Sequence, residues 1–168
     1  TYGTDSAPGP TTDGILTFDS AVKATVEAST MEFLSEGSEN FTHGLDIIGQ
    51  SFVNVKFKTL FAGSGTLGVT AVGWTALGAL LQACGMTYTI NAGASLVFAP
   101  AAISALKSCT IWLRHGGWVH KVPGCVGNVV MRGTPTTGLE CSFDMKGLYV
   151  APVAVAAGLH VPAGGVAA

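Results

Sequence analysis

Short β-type segments separated by glycine-containing turns fill the second half of the chain, and they constrain its fold more than any other feature. Residues 86–98 predict a hairpin with Gly93 in its turn. Residues 109–122 predict a second hairpin on a Gly-Gly turn, since glycine supplies the positive φ that tight hairpins need. Residues 125–133 and 139–150, joined by the turn TPTTG, complete a meander. Because a hairpin joins its strands in antiparallel order, this series predicts an antiparallel sheet.

The first half adds two strand patterns and a long connection. Residues 14–29 are rich in β-branched residues and alternate in polarity. Residues 54–61 alternate apolar side chains with lysines, which is typical of a strand with one solvent-facing side. Residues 34–51 mix glycine, serine and acids with isolated large apolar residues. This segment predicts a long loop or an extended hairpin with a functional role.

Residues 72–84 predict the one helix of the chain. Leucine and cysteine recur there at helical spacing, and Gly85 follows at the C-cap position. The opposite side of this helix holds only small or uncharged residues: Gly73, Ala76, Ala79, Gln82 and Ala83. A surface helix of a monomer would carry charges on that side. We therefore expect a second copy or a covering loop to contact it.

The glycine pattern GSGTLG at residues 63–68 matches a dinucleotide-binding turn in its letters but not in its context. In such a turn the glycines lead directly into the helix that holds the pyrophosphate. Here VTAV separates Gly68 from Gly73, and no carboxylate for a ribose lies between Asp46 and Glu140. Hairpins follow, instead of strand–helix–strand units. The sequence therefore predicts no nucleotide cofactor.

Catalytic and metal sites are not predicted either. The cysteines at 84, 109, 125 and 141 are too far apart for a structural zinc site, and we expect free, buried thiols. His115 and His120 beside a turn are typical of surface polar groups. Ser64 lacks the frame of a nucleophile, and Glu140 and Asp144 are explained as exposed strand charges. We expect no catalytic, metal-binding or cofactor-binding residue, and no enzyme.

The low charge content indicates that the chain has apolar surface to cover. Charged residues are only 11% of the sequence, against about 25% in an ordinary soluble domain. A membrane, a fibre or an oligomer would each cover such a surface. The most apolar window, residues 67–86, holds four glycines and few large apolar side chains, so we expect a packed loop and helix and no membrane insertion.

Charge is also unevenly distributed along the chain. Residues 1–50 hold eight acids and one base, whereas residues 51–168 hold two acids and seven bases. Such asymmetry suits head-to-tail contact between copies. The net charge of −2 does not indicate a general affinity for nucleic acid.

Several segments resemble a known family when they are taken in order. They are TYGTDSAP, LFAGSG before ALGALLQACGM, TIWLRHGGWVHKVPGCVGNV and FDMKGLYVAP. In order and spacing the chain resembles the tail tube (major tail) protein of long-tailed, non-contractile bacteriophages over residues 1–12 and 54–152.

The resemblance implies a mainly β protein, an antiparallel β-sandwich or barrel flanked by the one helix. It would be a single domain over residues 1–168, with an extended N-terminal segment (1–12) and an extended C-terminal arm (151–168). Six subunits would form a ring, and rings would stack into the hollow tail tube through which phage DNA is delivered to the host. The implied partners are further copies and the tape measure, tail terminator and baseplate or tip proteins. The tube would belong to the virion and assemble in the bacterial cytoplasm.

Contacts between copies are expected from the helix, the long loop and the arm. The candidate residues are Trp74, Ala76, Ala79, Ala83, Phe41, Leu45, Ile47, Ile48, Val153, Val155, Leu159 and Val161. Acids that face the lumen would repel DNA phosphates and let the DNA pass without specific binding. The candidate acids are Glu36, Glu39 and Asp46.

Two alternatives stay open. One is a small-ligand or carbohydrate-binding β-sandwich module, with Trp112, Trp118 and Tyr149 as an aromatic platform. The other is a different self-assembling structural subunit of a phage or pilus-like fibre.

Overall fold

Eight strands and one α-helix form the described part of the chain. The computed structural model describes residues 2–8, 14–15, 17–32, 46–61, 75–91, 95–115, 117–134 and 138–154. The strands are β1 (Thr17–Glu32), β2 (Asp46–Leu60), β3 (Met86–Asn91), β4 (Ser95–Pro100), β5 (Cys109–His115), β6 (Trp118–Thr134), β7 (Gly138–Leu148) and β8 (Val153–Ala154). The helix α1 is Thr75–Ala83, and a 3-10 turn covers Ile103–Ala105. The predicted mainly β, antiparallel class with one helix is confirmed.

The main sheet has the strand order β1-β2-β7-β6-β5 and curls as a half-barrel. Strands β3 and β4 form a separate two-stranded sheet. The short β8 pairs with β6 in the same register as β7, since Ala154 lies opposite Trp118 and Lys146 opposite Val126. The end of the described chain therefore extends the β7 ladder along β6.

The three hairpins predicted from turn residues are present. Strands β3 and β4 pair along their whole length, from Met86 opposite Pro100 to Asn91 opposite Ser95. Strands β5 and β6 meet in a two-residue turn, with Gly117 at a φ of 84°. Strands β6 and β7 follow, and Gly138 has a φ of 75°. Only glycine adopts these conformations without steric cost, so local sequence fixes where the chain reverses.

Strand β6 is longer than its sequence predicts. The sequence predicts separate strand segments that end at residue 122 and begin at residue 125, yet β6 runs through Pro123 and Gly124 for 17 residues. Cys125 lies opposite Cys109, and Val122 lies opposite Ile111, so β6 carries an extra residue there. A β-bulge of this kind takes up the added length without ending the pairing.

The expected loop at 34–51 is corrected for its last six residues. Strand β2 begins at Asp46, where it lies opposite Glu32, and Ile48 lies opposite Thr30. Backbone pairing with β1 explains the difference, because it overrides the weak strand propensity of glycine and acids. Residues 33–45, which include the candidate residues Glu36, Glu39, Phe41 and Leu45, lie outside the described part of the chain.

Helix α1 lies within the predicted range and packs against β3, β5 and β6. Leu80 and Leu81 are buried in the core, and Leu77 packs against it. Gly85 has a φ of 83°, which confirms the predicted end of the helix. Residues 62–74, which hold the predicted first turn and Trp74, lie outside the described residues.

The core lies on the inner face of β2 and β7, beneath α1. Phe57 and Phe143 are opposite each other in register and stack with ring centroids 5.2 Å apart. The buried cluster contains Val53, Val55, Phe57, Leu80, Leu81, Ala83, Val122, Cys125, Cys141, Phe143 and Met145. On β2, Lys56 and Lys58 alternate with these residues and stay exposed, as the polarity pattern predicted.

Candidate assembly surfaces

Strand β1 forms one margin of the main sheet and stays exposed on both of its faces. Every residue from Val22 to Thr30 is exposed. On the inner face Val26 lies opposite the buried Val53, yet it keeps 54% of its own surface exposed. The core therefore ends at β2, and β1 leaves both an apolar row and a line of backbone groups without cover from the described residues.

The second margin is the C-terminal half of β6. Over Val126–Gly133 this strand pairs with β7 on one side, while β5 reaches no further than Cys109 opposite Cys125. No strand within the described ranges pairs with the other side of this half. On its inner face Met131 is 39% exposed. An unpaired strand edge is a template for pairing with another chain.

The two margins run in opposite directions. All neighbours in the series β1, β2, β7 and β6 are antiparallel, so the first and fourth strands point opposite ways. If the β6 margin of one molecule meets the β1 margin of another, the new pair is again antiparallel. Such a contact joins different surfaces of the two molecules, and it therefore repeats into a ring or an open filament.

The outer face of the sheet carries ion pairs beside exposed apolar residues such as Val126 and Val130. Lys56 Nζ lies 2.7 Å from Asp144 Oδ2, and Lys146 Nζ lies 3.1 Å from Glu27 Oε2. Glu140 pairs with Lys58 in the same way. Exposed pairs of this kind contribute at most about 1 kcal/mol each, so this face contributes solubility and strand register more than stability.

Two further bases lie on that face, one at each margin. Lys23 is on β1 and Arg132 is on β6, and neither makes an ion pair with another described residue. Both are exposed. They are available to acids of another molecule, and the first third of the sequence is rich in acids.

The N-terminal segment docks on the β5–β6 hairpin through Asp5. Its carboxylate accepts hydrogen bonds from Trp112 Nε1 at 2.9 Å, from Lys121 Nζ at 3.0 Å and from the Ala7 backbone at 2.9 Å. Lys121 Nζ also lies 4.3 Å from the centre of the Trp112 ring. Nearby, Ser6 donates its backbone N–H to the Thr110 hydroxyl. The cluster therefore joins two of the segments on which the family resemblance rests.

Burial and the hydrogen bonds of Asp5 act on its ionisation in opposite directions. Burial acts to raise the pKa of this carboxyl, but the three hydrogen bonds and the positive charge of Lys121 together hold its pKa below the usual value. A depressed pKa means that the ionised carboxylate binds its partners better in the folded state than in the unfolded chain.

We expect Asp5→Asn to lower the free energy of unfolding at pH 7 by up to about 1 kcal/mol, because the amide loses the ion pair with Lys121. Since the folded pKa lies below the unfolded one, this contribution is present above the unfolded value of about 3.9 and is lost as pH falls through the folded value. Urea unfolding of both proteins from pH 7 to pH 3 measures it. Equal stability of the two proteins at pH 7 would contradict a stabilising role for the cluster.

The small side of α1 is only partly available for contact with another copy. Ala79 is half-buried. Ala83 is 4% exposed and packs in the core of its own chain, so it leaves the set of residues expected to contact a second copy. Ala76 lies in the first turn of the described helix.

The other expected contact residues are divided between β2, β8 and undescribed parts of the chain. Ile47 and Ile48 lie in β2, which Asp46 begins. Val153 lies in β8 and is exposed. Val155, Leu159 and Val161 lie outside the described residues. The described start of the C-terminal arm thus pairs with its own β6.

The aromatic residues do not form one open platform. Trp112 is engaged by Asp5 and Lys121 within its own chain, whereas Trp118 and Tyr149 are exposed. Trp118 is opposite His115, three residues from Trp112, so the two indole side chains belong to opposite faces of the β5–β6 hairpin.

Sequence reasoning missed both margins and the Asp5 cluster. The sequence gives only an indirect indication that β1 lies at a margin. Residues 22–30 lack the large apolar side chains that a core strand would carry. The cluster joins residues more than a hundred positions apart, and no local spacing indicates such a contact.

The described residues contain no candidate metal site and no candidate membrane-spanning helix. No group of histidine, cysteine or acidic residues in the described ranges could hold a metal ion. No helix among those residues is long and apolar enough to cross a membrane. No family model, curated protein or solved structure matches the chain. The candidate surfaces are therefore the two sheet margins, defined by the geometry of this chain.

Proposed function

We propose that this chain is a structural subunit that assembles through its sheet margins into stacked rings, forming the tail tube of a long-tailed, non-contractile phage. The observation that carries the proposal is a pair of margins that no described strand pairs with, β1 and the Val126–Gly133 part of β6, which run in opposite directions. The phage role itself comes from the sequence resemblance described above.

Pairing of the two margins explains the surface of the isolated subunit. A neighbour's β6 would satisfy the free backbone groups of β1, and the inner-face residues Val26 and Met131 would lose water together. Closure of the series into a ring would pair both margins, and pairing of long edges is one way in which a β protein avoids open-ended aggregation. The low charge content of the chain then has a physical reason, since much of its surface is covered in the assembly.

Stacking of the rings would build the tube. Head-to-tail contact between rings suits a chain whose first third is acidic and whose remainder is basic, with Lys23 and Arg132 available on the outer face. In this proposal DNA passes through the lumen without specific binding. The tape measure, tail terminator and baseplate or tip proteins would contact the tube in the virion.

A lysine at the β1 margin tests the proposal. We expect Val26→Lys to stay folded, because Val26 is more than half exposed, but to form no rings or tubes, because an inward-facing ammonium opposes burial of the margin. Negative-stain microscopy and sedimentation measure the assembly, and circular dichroism measures folding.

Val97→Lys is the matched control. Val97 is 48% exposed and lies on β4, on the side of the β3–β4 hairpin that also carries Thr89 and Ser95. Its substitution adds the same charge away from both margins, so tubes should form. Wild-type protein that stays monomeric at high concentration, or tubes of the Val26→Lys protein, would refute assembly through the margins.

A different self-assembling fibre subunit is the second candidate, and the same margins support it. Images distinguish the two, because a hollow tube of stacked rings belongs to the tail tube and a solid fibre does not.

A further inference from the structure

Two thiols face each other across the β5–β6 hairpin. Cys109 on β5 lies directly opposite Cys125 on β6. Cys125 Sγ donates to the Val122 carbonyl oxygen at 3.0 Å, and Cys125 lies close enough to Cys109 to raise the pKa of the Cys109 thiol. Directly opposed residues of antiparallel strands have Cα atoms about 4.5–5.5 Å apart, and disulfides span about 4.4–6.8 Å. The register therefore places the two Cα atoms at a separation that a disulfide can span.

The packing around Cys125 restricts the position of its sulfur. Gly147 lies behind it, and a Cβ at Gly147 would come within 2.7 Å of both Cys125 Sγ and Val122 Cγ1. The bulge in β6 fixes the backbone on the same stretch. Cys125 is fully buried whereas Cys109 is half-buried, so a reagent from solvent reaches Cys109 first.

The remaining thiols are not opposite another cysteine in strand register. Cys84 Sγ lies 3.7 Å from Met145 Sδ, and burial together with nearby Cys109 raises the pKa of Cys84 to about 12. Cys141 is buried on β7, opposite Thr59. Among the four cysteines, Cys109 and Cys125 are the pair that strand register places opposite each other.

We propose that Cys109 and Cys125 are a latent cross-strand disulfide, which forms by exchange with a low-molecular-weight disulfide such as oxidised glutathione. The Cys109 thiolate attacks one sulfur of the small disulfide, forming a mixed disulfide and releasing one small thiol. The Cys125 thiolate then attacks Cys109 Sγ and releases the second small thiol. The protein loses two protons and two electrons, and the small disulfide gains the two electrons.

The same contact that aligns the thiols also slows their oxidation. The hydrogen bond to Cys125 and burial both hold the pKa of Cys109 well above its ordinary value. Only the thiolate attacks a disulfide, so the rate should rise about tenfold for each pH unit between pH 7 and pH 9. The pair is therefore stable as thiols under mild conditions and closes under sustained oxidation.

Closure would fix the base of the hairpin on which the N-terminal segment packs. A Cβ at Gly124, one residue before Cys125, would lie 3.1 Å from the Gly3 backbone nitrogen. A covalent link at this point holds the bulge, the hairpin and the docking surface of the N-terminal segment in one arrangement. The inference does not depend on the proposed function.

Incubation of the full chain with oxidised glutathione at pH 7, 8 and 9 tests the proposal. We expect the protein to lose the mass of two hydrogen atoms, with alkylation afterwards only at Cys84 and Cys141 and a peptide map that links Cys109 to Cys125. The oxidised protein should melt at a higher temperature than the reduced protein, because the link constrains the unfolded chain.

Two substitutions complete the test. Cys141→Ser should oxidise as the wild type does, whereas Cys109→Ser should form no internal disulfide, and circular dichroism checks that both are folded. A map that links Cys84 to Cys109, a stable glutathione adduct as the end product, or four free thiols after oxidation at pH 9 would each overturn the proposal.

Discussion

An equimolar mixture of the Val26→Lys and Met131→Lys proteins should form dimers that do not grow, whereas each variant by itself should stay monomeric. Each lysine places a charge on the inner face of one margin and leaves the other margin unchanged. The intact β6 margin of the first variant can pair with the intact β1 margin of the second. The two outer margins of that dimer are both blocked, so no third molecule adds.

Light scattering on a sizing column measures this result, and the Val97→Lys protein, which should still form tubes, is the control for added charge. The pairing of two different margins predicts complementation, whereas a symmetric contact of like margins does not. Monomers in the mixture, or dimers of Val26→Lys by itself, would show that β1 and β6 do not pair with each other.

Gly127→Ala should destabilise the subunit by roughly 3 kcal/mol, an amount typical of severe overpacking in a core. Gly127 lies on β6 opposite Met145, where the two backbones approach closely. An added Cβ would collide with the Asp144 carbonyl oxygen and come within 2.8 Å of the Met145 Cα and Sδ atoms. Backbone atoms cannot move aside without breaking the β6–β7 ladder.

Gly133→Ala on the same strand is the matched control. Its added Cβ would first meet Leu139 Cδ1 at 3.1 Å, the end of a side chain that can rotate. We expect a loss below about 1 kcal/mol for it. Urea denaturation followed by circular dichroism compares both with the wild type. A Gly127→Ala protein as stable as Gly133→Ala would mean that the strands are further apart at this point.

The local part of the fold was predictable from sequence, because hairpin turns and polarity alternation are local properties. Gly117 and Gly138 mark reversals that the structure has, and the alternation around Phe57 gives the buried face of β2. Non-local pairing was not predictable in the same way. Residues 46–51 become strand only because β1 is available as a partner, and β6 passes Pro123 only because a bulge opposite β5 absorbs the extra residue.

The candidate surfaces were less predictable than the strands. Alternation shows which face of a strand is apolar, but it does not show which strand lies at the edge of the sheet. One side of α1 carries no charge, but contact with a second copy does not explain all of it. Ala83 on that side is buried in the core of its own chain. The expected lumen acids Glu36 and Glu39 lie outside the described residues, and Asp46 begins a strand opposite Glu32, so their role stays a prediction.

The pairing of β2 with β7 determines the order in which the chain can fold. Strands β1 and β2 are near in sequence, as are β6 and β7, and hairpins between near strands close in about 1–10 μs. The seam between β2 and β7 joins Phe52 to Leu148 and has to close a far longer loop, so it forms later. Until it closes, the apolar faces around Val55 and Phe143 are open to the same faces of other chains. Exchange of hairpins between two chains at this seam is the misfolding route that the topology leaves open, and its rate rises with the concentration of newly made subunits.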